Sequence, residues 1–492
     1  MGVGFFMLPF LVHRLGNNLY GMWVLVLSMT GYMVIFDLGI RGSVVKYVAE
    51  FDAKNDFKTL NSVVNTSWVI HIIAGLSIVA VSFILSFFLN HIFKIDNTLI
   101  NDFTTCFRIM GLCIGFTLCF SVLGGILEGY KRTDIVSAIE GFCFIIQSAL
   151  IVLSVLRGHG IIVLAVIIFG VNILKQITRL VFVRKICTQL KLDIFLFSKE
   201  QLKLIFSYST LLFVYQSLRN IISSLPNMIL GIFLGPAAVT FYSIAGRLMN
   251  YCITFLFTAT TVLVPFISSF DALNDKARLS KSFIVGSKYS YMLTLFFGSV
   301  LLIMGRPFLG LWMGSEFAQK SYPVLFIMVF SFMFVPSALI IEAVLKGLGR
   351  FKEICLLIIA EMAIGIILGV ILLKKFGIAG LATGFALPIL LNYGIILPIF
   401  VGRILRITFN EYIKNIFATL IIPAMVLGST LIILRSNLYP DNYLILFIEV
   451  LLSSLLYFVL CFRLVLSKYE RAFYLSRLRM VLRGHKVVKA SV

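Results

Sequence analysis

The chain has 492 residues, 60% of them hydrophobic and only 13% charged, with 42 lysines and arginines against 21 acids. A soluble domain carries about 25% charged residues, so this balance excludes an ordinary soluble enzyme and points to a membrane protein. The formal charge of +21 is spread over loops, where it suits anionic lipid headgroups better than nucleic acid.

Apolar runs recur along the whole chain, each near the about 20 residues that a helix needs to cross a bilayer. No run alternates polar and apolar residues as an outer-membrane strand would, so the fold class is all-α membrane protein. In chain order, spans are predicted at 2–13, 20–48, 64–89, 103–127, 135–156, 160–184, 204–234, 238–268, 287–309, 322–346, 353–373, 378–402, 412–434 and 443–466, about fourteen in all. The first is short and has no basic residue before it, which reads as a truncated or misassigned start. A cleavable signal peptide fits poorly, because neither a charged head nor a clear small-residue cleavage site is present. The loops on the outer side are short, the longest near His91–Asp102 and Arg306–Tyr322. They leave no room for a soluble catalytic domain.

Lysine and arginine set the orientation. The loops after even-numbered spans and the C-terminal tail hold 29 of the 42 basic residues, the opposite loops hold 8, and 5 lie within spans. The basic-rich side is expected to face the cytoplasm, which places both termini there. In this reading Arg179 belongs to the cytoplasmic loop after the sixth span. The tail residues Arg477, Arg479, Arg483, Lys486 and Lys489 read as a headgroup contact.

The chain also repeats itself. Leu15-Gly16 recurs as Leu234-Gly235, Leu127–Arg132 as Leu345–Arg350, and Gly160-Ile161 as Gly377-Ile378. The offsets of 219, 218 and 217 span six helices. An even number keeps both copies in the same orientation, related by an axis along the membrane normal. The expected organisation is an N-lobe at 1–199, a C-lobe at 200–402, and a helix pair with a basic tail at 403–492. The linker near Lys185–Lys203 is the longest connection on the basic side.

Ionisable groups inside spans are expensive, roughly +2.5 to +3.5 kcal/mol at the bilayer centre, so each must face something polar. Arg219 lies mid-span among Gln216, Ser217, Asn220, Ser223 and Ser224, with Pro226 following. That stretch reads either as the lining of a water-filled cavity or as one half of a buried ion pair. Arg247 lies in the next span and either joins the cavity or snorkels outward. Asp37 and Arg41 are four apart, acid first, a spacing that suits an intrahelical pair. Glu361 is mid-span. Glu140, Glu342, Lys175 and Arg108 read as snorkelling groups near helix ends, and Glu449 as a packing residue. A cavity lined by Arg219, Arg247 and Arg41 is cationic and suits an anionic solute, and guanidinium grips phosphate bidentately. No phosphate-binding loop with Lys-Ser/Thr is present. Eight cysteines lie mostly in apolar runs without a Cys-x-x-Cys pair, and five histidines are scattered, so no metal or cofactor is expected. Asn65-Thr66-Ser67 matches a glycosylation sequon at a span edge and carries no weight.

Several segments together resemble a known group. They are Leu15-Gly16-Asn17-Asn18-Leu19-Tyr20-Gly21-Met22-Trp23, then Phe36-Asp37-Leu38-Gly39-Ile40 and Lys46-Tyr47-Val48-Ala49-Glu50. Leu234–Arg247, Gly347-Leu348-Gly349-Arg350 and Phe376–Ala382 continue the pattern. In this order the chain resembles the polysaccharide-export flippases of the O-antigen (Wzx) type, within the multidrug/oligosaccharidyl-lipid/polysaccharide exporter superfamily. The resemblance covers nearly the whole chain and implies a MATE-like two-lobed fold. It implies a non-enzymatic transporter of the bacterial inner membrane that moves undecaprenyl-diphosphate-linked oligosaccharide from cytoplasm to outer leaflet by alternating access, for O-antigen, lipopolysaccharide or other surface polysaccharide. The expected substrate-binding residues are Arg219 on the diphosphate, Arg247 and Arg41 assisting, and Asp37, Asn220 and Gln216 alongside. Expected partners are the lipid-linked glycan, membrane lipids, and the polymerase and glycosyltransferases of the same pathway, with no nucleic acid. The driving force is an H+ or Na+ gradient or removal of the product. Two other readings stay open: a drug or cation antiporter of the same superfamily, which needs acids such as Asp37 and Glu361, and a membrane glycan polymerase or ligase, which usually carries a large outer loop. A structural or lipid-scaffold role would show no cavity.

Overall fold

The computed structural model describes residues 2–191, 193–261, 267, 269, 270, 273, 275–335, 337–438, 440–472, 475 and 476. The five basic tail residues named above lie outside them. The chain divides into two compact units.

The first unit comprises Met1–Ile244, Phe351–Ala363 and Phe376–Leu381. Helix α1 (Gly2–Tyr32) is broken at Gly16, whose φ of 79° only glycine adopts freely. A 3-10 turn, Met33–Asp37, leads through left-handed Leu38 and Gly39 into α2 (Ile40–Ala53). Then follow α3 (Phe57–Ser86), α4 (Ile100–Cys119), α5 (Ser121–Gly129), α6 (Thr133–Leu156), α7 (Ile161–Ile186), α8 (Lys199–Phe233) and the start of α9 (Pro236–Thr261).

Close backbone approach at small residues holds the first unit together, as membrane bundles require when apolar burial drives little association. A methyl group on Gly75 of α3 would stand 2.5 Å from the Gly115 carbonyl oxygen of α4, and one on Gly111 of α4 would stand 2.4 Å from Ser82. The linker is fastened as well. Asn65 Nδ2 donates to the Lys191 carbonyl (2.6 Å), the Asp193 N–H donates to Asn65 Oδ1 (2.8 Å), and the Ser198 N–H donates to Thr66 Oγ1 (3.0 Å). The sequon-like triplet is thus a strap for the segment that leads into α8.

The second unit comprises Ala245–Arg350, Ile364–Lys375 and Ala382–Val492. It holds the rest of α9, then α10 (Lys276–Met313), α11 (Tyr322–Met333), α12 (Ala338–Gly347) and most of α13 (Phe351–Leu391), which breaks at Gly377 (φ 60°). Helices α14 (Leu397–Leu405), α15 (Ile421–Asn437) and α16 (Tyr443–Leu460) complete it. In the N-cap of α10, Asp275 accepts from the Arg278 N–H.

The sequence repeat is written in the hydrogen bonds of both units. Asp56 caps α3 by accepting from the Thr59 N–H, as Asp275 does for α10. The Asp56 N–H bonds the Phe51 carbonyl and the Asp275 N–H bonds the Phe270 carbonyl, each at 2.9 Å. At the end of α5, left-handed Lys131 closes the helix while the Arg132 N–H reaches the Leu127 carbonyl. At the end of α12, left-handed Gly349 does the same while the Arg350 N–H reaches the Leu345 carbonyl. The next helix starts one residue later in both places.

Among the described residues, nine helical stretches are long and apolar enough to cross a membrane, and the α11–α12 pair, bent by 53°, makes a tenth if it counts as one. These stretches do not confirm the count of fourteen. The stretches Gly2–Asp37 and Phe351–Leu405 each merge two predicted spans across a glycine break, and α8 and α9 are absent from the apolar set. The compact first unit runs to Ile244, whereas the repeat sets its lobe boundary at 199.

The end of the described chain is anchored electrostatically. Glu470 accepts from Lys288 Nζ (3.1 Å), Tyr289 Oη (2.9 Å) and the Ser467 N–H (2.7 Å). Burial disfavours its ionised form, but these donors and the Ser467 hydroxyl prevail and hold the carboxyl at about 2 instead of 4.5. A folded-state value below the unfolded one stabilises the protein fully above pH 4.5, and that stabilisation is lost as the pH falls through 2. Its size is on the order of 3 kcal/mol. Glu470→Ala is therefore expected to release the C-terminal segment at neutral pH, read as faster proteolysis after residue 460 with little change elsewhere. Unchanged cleavage would show that the anchor contributes nothing.

Candidate functional site

The ionisable groups of the first unit are grouped by helix packing, not by neighbourhood in the chain. Helix α2 packs on α5 and α8, and α5 packs on α7. This brings Arg41 of α2 to Glu128 of α5, Nη2 to Oε1, at 2.6 Å. It also sets Arg179 of α7 against Glu140 of α6 at 2.7 Å. The two guanidinium groups converge on α5. A methyl group on Gly124 would stand 3.3 Å from Arg41 Nη2 and 3.4 Å from Arg179 Nη1. Glycine at 124 leaves room for both.

Asp37 and Arg41 do not pair with each other. Left-handed Leu38 (φ 52°) and Gly39 (φ 69°) separate the turn that ends at Asp37 from the helix that begins at Ile40, so the four-residue spacing does not lie on one helix. Asp37 Oδ1 instead meets His71 Nε2 of α3 at 3.0 Å. Arg179 is also not a loop residue. Helix α7 continues to Ile186, and Arg179 is only 3% exposed. One turn earlier, Gln176 is 2% exposed, and neither of its amide atoms has a hydrogen-bond partner among the described residues.

Gln216, Arg219 and Asn220 lie on one face of α8, at spacings of three and four residues. Gln216 is exposed and the other two are half-buried. The Arg219 guanidinium stands over the Tyr215 ring, 5.8 Å from its centroid, a cation–π contact. Further along α8, Asn227 Nδ2 donates to Ser28 Oγ of α1 (3.1 Å). Arg247 is exposed and belongs to the second unit. Of the six predicted site residues, then, three share a helix face on α8, Arg41 is held on the neighbouring helix α2, Asp37 is held by His71, and Arg247 is placed with the other unit.

Sequence reasoning missed His71, Arg179, Glu128 and Glu140 as partners. Their pairs are separated by 34, 39 and 87 residues, so no local spacing marks them. Arg108, read as snorkelling, donates to Ser86 Oγ at 2.8 Å and lies over the Phe83 and Phe87 rings. No cluster of three His, Cys, Asp or Glu residues that could hold a metal occurs among the described residues.

Two echo segments also meet in the first unit. Thr240 Oγ1 of the second copy donates to the Asn17 carbonyl of the first at 2.7 Å. Gly21 sits so tightly against Pro236 that a methyl group there would stand 1.9 Å from the Pro236 carbonyl oxygen.

The family model described as polysaccharide biosynthesis protein matches residues 1–271, which contain both echo segments. The chain belongs to this family. A putative O-antigen transporter of Shigella flexneri is 21% identical over 389 residues, 78% of this chain and 90% of that one. A probable low-salt glycan biosynthesis flippase, Agl15, of Haloferax volcanii is 24% identical over 396 residues, covering 80% and 78%. Among solved structures, an inward-facing multidrug resistance MATE transporter matches with a TM-score of 0.71 at 14% identity, covering 82% of this chain and 95% of that one. The lipid II flippase MurJ, in an inward closed conformation, matches with a TM-score of 0.69 at 15% identity, covering 96% and 97%. These likenesses carry the fold: this polysaccharide biosynthesis family member is an all-helical membrane protein built like the transporters of the exporter superfamily.

Proposed function

We propose that the protein is a flippase that moves an oligosaccharide linked to undecaprenyl diphosphate from the cytoplasmic to the outer leaflet of a bacterial inner membrane. Both termini face the cytoplasm, on the basic-rich side. The two copies of the repeat form the two lobes, and the cycle alternates access between the two sides. The relatives are named transporters and flippases, which favours translocation over polymerase or ligase chemistry. The observation that carries the substrate class is the α8 face. It sets the permanently charged, half-buried Arg219 beside the amides of Gln216 and Asn220, and this is the chemistry that recognises a diphosphate. Arg41 and Arg247 would add charge along the route. An antiporter for cations needs carboxylates free to bind them, and Asp37 is already engaged by His71.

Hydrogen bonds between charged groups are worth about 1.5–3 kcal/mol, so Arg219→Ala should lower translocation by about tenfold to a hundredfold. Arg219→Lys should recover part of it. The measurement is flipping of a defined lipid-linked sugar in proteoliposomes, with surface polysaccharide in cells as the second reading. Undiminished transport by Arg219→Ala would remove Arg219 from the role.

A further inference from the structure

The far end of α10 carries a polar cleft that the proposed function does not use. Lys288, which holds Glu470 on the basic-rich side, lies 18 residues before Arg306 in the same helix. At about 1.5 Å per residue that is a rise of about 27 Å, close to the about 30 Å of a hydrocarbon core. The cleft at Arg306 therefore opens at the membrane surface opposite the basic-rich loops.

Three parts of the second unit build it. Arg306 and Gly310 stand on the last turns of α10, Ser315, Ala318 and Gln319 on the short helix Ser315–Lys320, and Asp441 on the segment before α16. The volume is about 320 Å³, at the lower end of the about 300–1,000 Å³ of small-molecule sites. The walls are tied to one another. Pro307 has no N–H to offer the Ile303 carbonyl, and Arg435 Nη1 of α15 donates to that carbonyl at 2.6 Å. Tyr443 Oη, two residues beyond Asp441, donates to the Leu311 carbonyl at 2.8 Å. Small residues keep the floor open, since a methyl group on Gly310 would meet only Ala318 Cβ, at 3.7 Å.

Four polar side chains line the cleft: Arg306, Ser315, Gln319 and Asp441. None of them makes a hydrogen bond or an ion pair among the described residues. The neighbouring charges Glu316 and Lys320 bond each other at 2.8 Å, so Arg306 and Asp441 are the two that stay open. Together they give the lining a net charge of zero. A phosphate or carboxylate would meet Asp441, and a cation would meet Arg306. An apolar ligand would strip water from all four groups and replace none of it. A neutral polyhydroxyl ligand avoids each of these costs. Its hydroxyls both donate and accept, so they can accept from Arg306, donate to Asp441, and do either with Gln319 and Ser315. The Tyr443 ring, 54% exposed at the rim, offers an aromatic face to the C–H side of a sugar ring.

We propose that this cleft is a carbohydrate-binding site for a neutral sugar residue, and that it receives the glycan on the side to which the glycan is delivered. The sugar site stands on the cleft itself. The role in delivery rests on the flippase reading and its orientation.

The site is tested by saturation-transfer NMR on the full-length protein in lipid nanodiscs. The probes are glucose, galactose, N-acetylglucosamine and rhamnose, with glucuronate as the charged comparison. At least one neutral sugar should bind at millimolar concentration. Gln319→Ala should weaken that binding by about twofold to tenfold, the effect of one hydrogen-bond partner, and Asp441→Asn by at least as much. Ala318→Trp, which fills the cleft, should abolish it. Gln319 and Asp441 are exposed, so their variants should unfold at the wild-type temperature. No binding by any neutral sugar, or binding indifferent to all three variants, overturns the proposal. Binding of glucuronate alone that Arg306→Gln removes also overturns it, because the cleft would then be an anion site.

Delivery is tested in proteoliposomes with a lipid-linked glycan that carries the sugar found to bind. Gln319→Ala and Asp441→Asn should slow its transport by about the factor each loses in sugar binding. Wild-type rates from variants that no longer bind sugar overturn the delivery role. Wild-type protein that binds sugar and transports nothing sinks the flippase reading and supports the carbohydrate site.

Discussion

Gly21→Ala, the smallest possible side-chain addition, is expected to destabilise the first unit by at least about 3 kcal/mol, at the upper end of the usual cost of overpacking. The reason is the identity of the clashing group. The added methyl would stand 1.9 Å from the Pro236 carbonyl oxygen, 2.5 Å from its carbon and 2.9 Å from Thr240 Oγ1. A flexible side chain could swing away, but a backbone carbonyl moves only if α1 and α9 separate. Separation would also break the Thr240–Asn17 hydrogen bond. The measurement is the thermal unfolding of detergent-purified protein and the yield of monodisperse material. Gly141→Ala is the control, since nothing lies within 4 Å of its added carbon, and its unfolding temperature should equal or slightly exceed that of the wild type. A Gly21→Ala protein as stable as that control would mean that the α1–α9 contact does not hold this form of the unit together.

The Gly21–Pro236 contact also shows what a sequence can reveal. The repeat is readable because each copy must solve the same local problem: Asp56 and Asp275 cap a helix, and Lys131 and Gly349 close one in the left-handed conformation. The broken helices are readable at Gly16 and Gly377 for the same reason. Charge partners are different. Arg41 and Glu128 are 87 residues apart, and Arg179 and Glu140 are 39 apart. Nothing local marks such pairs, because they are created by how helices pack. The Asp37–Arg41 spacing misleads because it presumes an unbroken helix, and Gly39 is the residue in the sequence that argues against one. Arg179 reads as a loop residue because it lies close to the basic pair Arg184 and Lys185 at the end of the apolar run, while the helix continues to Ile186 and buries it.

The paired guanidinium groups give a second large effect, with an asymmetry that tests the electrostatics. Arg179 is 3% exposed, whereas the Glu140 side chain that neutralises it is 53% exposed. Removing Arg179 leaves a carboxylate that water can still reach. Removing Glu140 leaves a buried guanidinium with its Nε already lacking a partner among the described residues and with Arg41 converging on the same glycine. Breaking a buried pair costs about 3–5 kcal/mol when a charge is stranded. Glu140→Ala should therefore cost about 3 kcal/mol, at the lower end because Glu140 is partly exposed, and Arg179→Met should cost less than half of that. The double variant Glu140→Ala/Arg179→Met should recover most of the loss, because no buried charge remains to be compensated. A double-mutant cycle on unfolding temperatures in detergent measures all three. If Arg179→Met is the worse single change, stranding the guanidinium is not what costs most, and Gln176 or another group near Arg179 must be satisfying its charge. If the cycle behaves as expected, the arginines beside Gly124 are held in place by carboxylates at a net charge of zero. Any anionic substrate would then have to displace those carboxylates before it could use Arg41 or Arg179. On the proposed flippase reading, the cost of that displacement would make Arg41 an assisting group on the route and not the first contact for a diphosphate.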